Sequence, residues 1–420
     1  MKHTEHNAFQ NEALETLNRI WSENNHFSEL KWFLNIAAKR FDIEYLNNIK
    51  PRVIVLGDDI PAEILYSVCD DPFHVIGGSL EAAHWADELT PRDTDPFSRS
   101  SLGWQVNPEF EHAKDALIIT AVSNDSRRKL VSVLQSVGRN VLALDVPPSN
   151  DTPNAVVFYK EHLVLLAEKI AKHTGKRFTN GSLRRAVKKV AEARSARQRF
   201  LMTAESVNGF LSSEAVLLVS QCMYFADDLE EWSARAIGLG NELESFGRKY
   251  ALPRRDEPNV IILGSPVVFP NFKVPQLIAS AGMTIAAVAD SLSLEASLAV
   301  PNAKAFVSAD SLLTKIAKTH LKMISSGARV SNDGLFSYFQ YLLNQLRPDG
   351  IVCHILKGQI EYDFELPRIE KAAEEMGIPV FRLETDYQYQ DIEQLRIRME
   401  AFSEMLMHRR IVNNKKRRTA

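Results

Sequence analysis

Between Pro348 and Leu406 the chain reads PDGIVCHILKGQIEYDFELPRIEKAAEEMGIPVFRLETDYQYQDIEQLRIRMEAFSEML, and no other stretch constrains the fold as strongly. An apolar run, Ile351 to Leu356, breaks at Lys357-Gly358-Gln359, passes into a helical pattern, and returns as a second strand from Pro379 to Leu383. A buried strand, a glycine turn, a helix and a further strand make the repeating unit of an open parallel sheet. Such sheets take their ligands at the carboxyl ends of the strands.

The same unit occurs in the first half. RVIVLG at 52–57 is a short buried strand followed by Asp58-Asp59, with Pro61 placed to start a helix that carries Glu63 in its first turn. Further strands are predicted at 73–76, 116–122 and 140–146, with a helix over 125–137. A second opening strand, Val260 to Leu263, ends in Gly264-Ser265-Pro266, and Met283 to Val288 adds another. Long amphipathic helices over 157–173, 182–197 and 226–249 separate the two sets of strands, and helical spacing also marks 8–48. The predicted architecture is α/β: two open parallel-sheet, Rossmann-like domains facing a cleft, with a helical N-terminal segment and a helical linking block. The corresponding divisions are 1–50, 51–155, 156–255, 256–388, and a C-terminal helix with a basic tail over 389–420, with a boundary at Pro253 to Pro258.

Composition narrows the function. A chain of 420 residues exceeds one ordinary core. A formal net charge of -3 offers no general attraction to nucleic acid or to an anionic membrane. The basic run Arg409, Arg410 and Lys415 to Arg418 is expected to be a solvated terminus. No apolar stretch approaches the roughly 20 residues that cross a bilayer, and the N-terminus has no signal-peptide core. Cys69, Cys222 and Cys353 lie far apart with no metal spacing, which fits a reducing cytoplasm.

Several polar segments sit where strands end, each with a plain structural role beside a functional one. The turns at Gly57-Asp58 and Gly264-Ser265 suit an anion at a helix N-terminus, yet neither is a nucleotide motif. Asp93 to Gly103 is predicted as a structured polar loop; Asp93 and Asp95 are too few carboxylates for a calcium site, while Arg99 and Ser100 suit an anionic ligand. Asn124 and Asp125 make good helix caps and also stand at the crevice. His354 lies in a strand beside Cys353, facing the opposite way. Gln359 follows at the strand end. Glu63, Arg99, Ser100, Asn124, Asp125, His354 and Gln359 are thus the candidates to line a cleft.

From about Ile54 to the last helix, a series of segments resembles the 2-hydroxyacyl-CoA dehydratase and benzoyl-CoA reductase subunits. IPAEILYS at 60–67, TPRDTDPFSRSSLG at 90–103, SNDSRRK at 123–129, DVPPS at 145–149, LGSPV at 263–267 and HILKGQIEYDFE at 354–365 follow in family order. The resemblance implies a CoA thioester substrate and a [4Fe–4S] cluster on three thiolates. It also implies an ATP-hydrolysing activator that delivers the electron. Carried across residue by residue, the three ligand positions fall on Asp95, Asn124 and Gln359, none of them cysteine. Three readings stay open: a cluster-free subunit that encloses the thioester while a homologous cysteine-bearing partner holds the cluster; a paralogue, pairing with itself as a homodimer, that binds acyl-CoA or assists assembly without catalysis; and a cluster held by unusual ligands, a relocated Cys69, Cys222 and Cys353 set included.

Overall fold

The computed structural model describes residues 7–107, 114–149, 152–207, 209–250, 257–293, 302–306, 308–323 and 330–419. Two four-stranded sheets form its frame. The first contains β1 (Val53–Leu56), β2 (Phe73–Val75), β3 (Leu117–Val122) and β4 (Val141–Asp145), in the order β2-β1-β3-β4. The second contains β5 (Asn259–Gly264), β6 (Thr284–Ala289), β7 (Gly350–Leu356) and β8 (Val380–Thr385), in the order β6-β5-β7-β8. Every pairing is parallel, and the two orders are the same when each half is counted from its own first strand.

The apolar runs become strands because both of their faces are covered. In β1, Ile54 and Leu56 join one core while Val53 and Val55 join another. The second core is closed by Tyr159, Leu163 and Leu166 of a helix over Pro153–Thr174. In β5, Val260 and Ile262 share the core of Ile54, whereas Ile261 and Leu263 pack with Phe339 and Ile369. One continuous core therefore runs between the sheets, and it includes Phe9 and Phe33 from the N-terminal helices α1 (Ala8–Asn24) and α2 (Leu30–Arg40), and Phe41 just past α2.

Some expectations need correction. The polar stretch Asp93 to Gly103 is not a loop: it contains a helix, Pro96–Val106. Asp95 caps it by accepting from the Ser98 amide at 2.9 Å, with proline at the first position, where a missing N–H costs nothing. Arg409 and Arg410 face solvent in part, as expected, but they stand on a helix and not in a loose tail. The last helix, Ile392–Thr419, carries them back to the domain, where Arg409 donates to the Gly377 carbonyl at 2.8 Å and Arg410 pairs with Asp349 at 3.5 Å. The side chains of Lys415 to Arg418, and most of the boundary at Pro253 to Pro258, lie outside the described residues. Among the described residues, no helix is long and apolar enough to cross a membrane.

Candidate functional site

The carboxyl ends of the two sheets meet. The turn after β7 presses Gly358, at φ +89°, onto the segment leading into the helix at Pro96. A Cβ there would stand 2.9 Å from the Asp95 amide nitrogen, so only glycine fits. Beside it, Gln359 Nε2 donates to Asp95 Oδ1 at 3.1 Å, with both residues buried.

Behind this contact lies a buried ion cluster. Arg127 stands in the first turn of the helix Asp125–Ser136, whose N-cap Asn124 accepts from its amide at 2.9 Å. Its guanidinium reaches Asp59 at 2.6 Å and Asp58 at 3.0 Å, both just past β1. Burial opposes that charge, but Asp59 and Asp58 outweigh it and hold the guanidinium charged more firmly than usual. Gly57, at φ +83°, leaves the room, since a Cβ there would sit 2.9 Å from the guanidinium. Asp290, past β6, accepts from the Val267 and Ser293 amides at 3.1 and 2.8 Å. Burial still pushes its carboxyl up. Arg197, from the long helix Asn180–Ser206, is buried within electrostatic reach of Asp290.

An open cleft of about 500 Å³ flanks the seam. Arg92, Asp93 and Arg99 line it from the first half, and Lys357, Gly358 and Asp386 from the second. Arg99 pairs with Asp87, while its Nε has no partner among the described residues. Lys357 donates to Asp386 at 2.9 Å. Two cationic side chains thus project from opposite walls, each steadied by one carboxylate, which suits an anionic or carbonyl oxygen between them.

The remaining candidates are dispersed. Ser100 is fully buried and accepts from the Ser79 amide at 3.1 Å, pointing away from the cleft. Glu63 is taken up by Arg194 at 2.7 Å and His320 at 3.1 Å. His354 is buried, donating Nδ1–H to the Ser265 carbonyl at 3.0 Å, and burial lowers its pKa to about 4, so it is neutral near pH 7. Asp125 is exposed and Asn124 half-buried, both within range of Glu361, whose carboxyl burial pushes upward. Of the seven candidates, Arg99 lines the cleft and Asn124, Asp125 and Gln359 gather at the seam. Arg127 and Lys357 went unnominated. An acidic doublet after one strand and a basic doublet after another were visible, but not that β1 and β3 are neighbours.

The family model described as 2-hydroxyglutaryl-CoA dehydratase, D-component, matches residues 59–406. The chain belongs to this family. It is 22% identical over 349 residues to the (R)-phenyllactyl-CoA dehydratase beta subunit of Clostridium sporogenes, covering 82% of this chain and 89% of that protein. It is also 22% identical over 337 residues to the "Putative dehydratase subunit YjiM" of Escherichia coli (strain K12), covering 78% of this chain and 84% of that one.

In this chain, the three positions onto which the sequence resemblance carries the cluster ligands lie around one seam. Asp95 and Gln359 bond each other, and Asn124 stands near enough to Glu361, two residues on from Gln359, to offset part of the upward push of burial on its carboxyl. A carboxylate and two amides are poor donors for a soft iron–sulfur centre. The cysteines do not substitute for them. Cys69, Cys222 and Cys353 are all buried, each in a different core cluster. Burial pushes their thiols up, to about 11 for Cys69 and about 12 for Cys353. Among the described residues, no group of three His, Cys, Asp or Glu side chains has metal-holding spacing. The donor set does not fit the cluster.

Proposed function

We propose that this chain is the cluster-free subunit of a 2-hydroxyacyl-CoA dehydratase type system, closing one side of a CoA thioester site whose [4Fe–4S] cluster is held by a homologous, cysteine-bearing partner. The observation that carries this reading is that Asp95 and Gln359, two of the positions that the resemblance gives to thiolates, meet in the seam, with Asn124 beside them and no thiol among the three. The relatives are named as subunits, which agrees with a role in a pair. A cluster in the partner would supply single electrons. This chain would contribute Arg99 and Lys357 to the acyl-CoA phosphates or carbonyl, and its packed seam would keep water from the reacting thioester.

Iron and acid-labile sulfide, measured on the chain expressed alone and purified without oxygen, test the central point. None of either supports the reading; about four of each per chain overturn it. Anaerobic purification of the tagged chain from its own cells tests the pairing. A co-purifying homologue with cysteine at the three aligned positions supports it. A homo-oligomer with no such chain would favour a non-catalytic acyl-CoA-binding or assembly protein instead.

A further inference from the structure

The two sides of the seam are 264 residues apart in the chain, yet they meet through polar contacts as specific as those within either half. Gln359 belongs to the second sheet's β7 turn and Asp95 to the first half. Their side chains are 5% and 1% exposed, so the hydrogen bond between them is sheltered from water. Asp95 Oδ1 is shared, accepting also from the Ser98 amide, which aims the carboxylate at Gln359. Gly358 brings the backbones together, its Cα facing the Asp93 carbonyl and the Asp95 amide so closely that no Cβ fits.

We infer that Asp95 and Gln359, brought together by the close approach at Gly358, form a clasp that fixes one half of the chain against the other and sets the spacing of Arg99 and Lys357 across the cleft. The clasp occupies the positions aligned with thiolates, and its carboxylate–amide chemistry joins protein to protein. It follows from the contacts alone. Its relation to the cluster rests on the proposed function, and the test below needs neither iron nor turnover, so the two can fail separately.

The test removes the contact from each side. Gln359→Glu sets a second carboxylate against Asp95, and Asp95→Ser keeps a helix-capping oxygen that is too short to reach Gln359. Amide hydrogen exchange across 93–99 and 357–361 reads the clasp, because local opening sets the rate. Q359E should speed exchange on both sides of the seam by about tenfold or more. D95S should speed it at 357–361, and the double variant D95S/Q359E should be little faster there than either single variant, because both changes break the same contact. Gln359→Met, which keeps the length and removes the bond, should also speed exchange on both sides if Q359E fails to fold. Effects of D95S and Q359E that multiply in the double variant would overturn the clasp. So would acceleration in Gln359→Met confined to 357–361, since Asp95 would then be only a cap for its own helix.

Discussion

Glu63 was a cleft candidate by sequence, and the structure makes it a buried counter-ion. Its carboxylate, 1% exposed, faces Arg194 at 2.7 Å and His320 at 3.1 Å. Burial opposes its charge, but Arg194 and His320 outweigh that and hold the carboxyl well below the ordinary carboxylate range. Glu63→Gln keeps the shape and removes the carboxylate that faces the Arg194 guanidinium, itself only 5% exposed. Breaking a buried pair in this way costs about 3–5 kcal/mol. At the lower figure, a thermal midpoint near pH 7 should fall by roughly 3–4 °C for a chain of this length. The pH dependence has a definite sign. A depressed folded-state pKa stabilises above the unfolded value of about 4.3 and is lost as pH falls below it, so the gap between wild type and variant should narrow in acid. Removing both charges, as in Glu63→Leu with Arg194→Met, should cost less than Glu63→Gln alone, because no charge is stranded. Circular dichroism melts of the three variants across pH 3 to 8, with CoA affinity measured alongside, provide the assay. A Glu63→Gln midpoint within a degree of wild type, or one that weakens CoA binding without loss of stability, would refute the assignment.

Arg99→Ala with Lys357→Ala should weaken CoA binding by about tenfold or more, with a loss that shrinks as salt rises; calorimetry at two ionic strengths checks it, against an unchanged melt. The three thiols should resist a disulfide reagent in the native state at pH 8 and react together only in denaturant, since all are buried and their pKa values are raised. Replacing Asp95, Asn124 and Gln359 together by cysteine should allow anaerobic reconstitution of about four iron atoms per chain, read by metal analysis and the visible spectrum. Failure in a folded triple variant would show that the positions do not converge on one centre.

The strands were legible because β1, β3, β5 and β7 are covered on both faces and so read as unbroken apolar runs. The helix Ser213–Phe225 was not distinguished, because SEAVLLVSQCMYF is apolar nearly all round and leaves little stripe to detect. The helix at Pro96 hid behind its serines, although Asp-Pro with Ser98 three residues after Asp95 is a start signal. At the site, sequence could nominate strand ends but not partners. Arg194 and His320 reach Glu63 from 131 and 257 residues away, and the direction of Ser100 depends on Ser79. Such pairings follow from sheet order and helix packing, which no local pattern encodes.

The placement of the seam explains how this fold can carry Asp95, Asn124 and Gln359 where thiolates are implied. In small metal domains the ion supplies much of the folding free energy, so losing a ligand unfolds the chain. Here all three positions stand on turns and helix caps: Asp95 and Asn124 cap helices, and Gln359 lies in the turn after β7. The continuous core lies elsewhere, packing Phe9 against Phe41 and Trp104 with ring centroids 4.9 and 5.0 Å apart, and Phe41 against Phe269 at 5.3 Å. That cluster joins an N-terminal helix, the first half and the second half by apolar contact alone. The core can hold the halves together without metal, which leaves the seam free to change its chemistry. A polar clasp then has a narrower task than stability: it fixes how the two walls of the cleft face each other. That division of labour predicts that loosening the clasp should alter exchange at the seam well before it alters the melt.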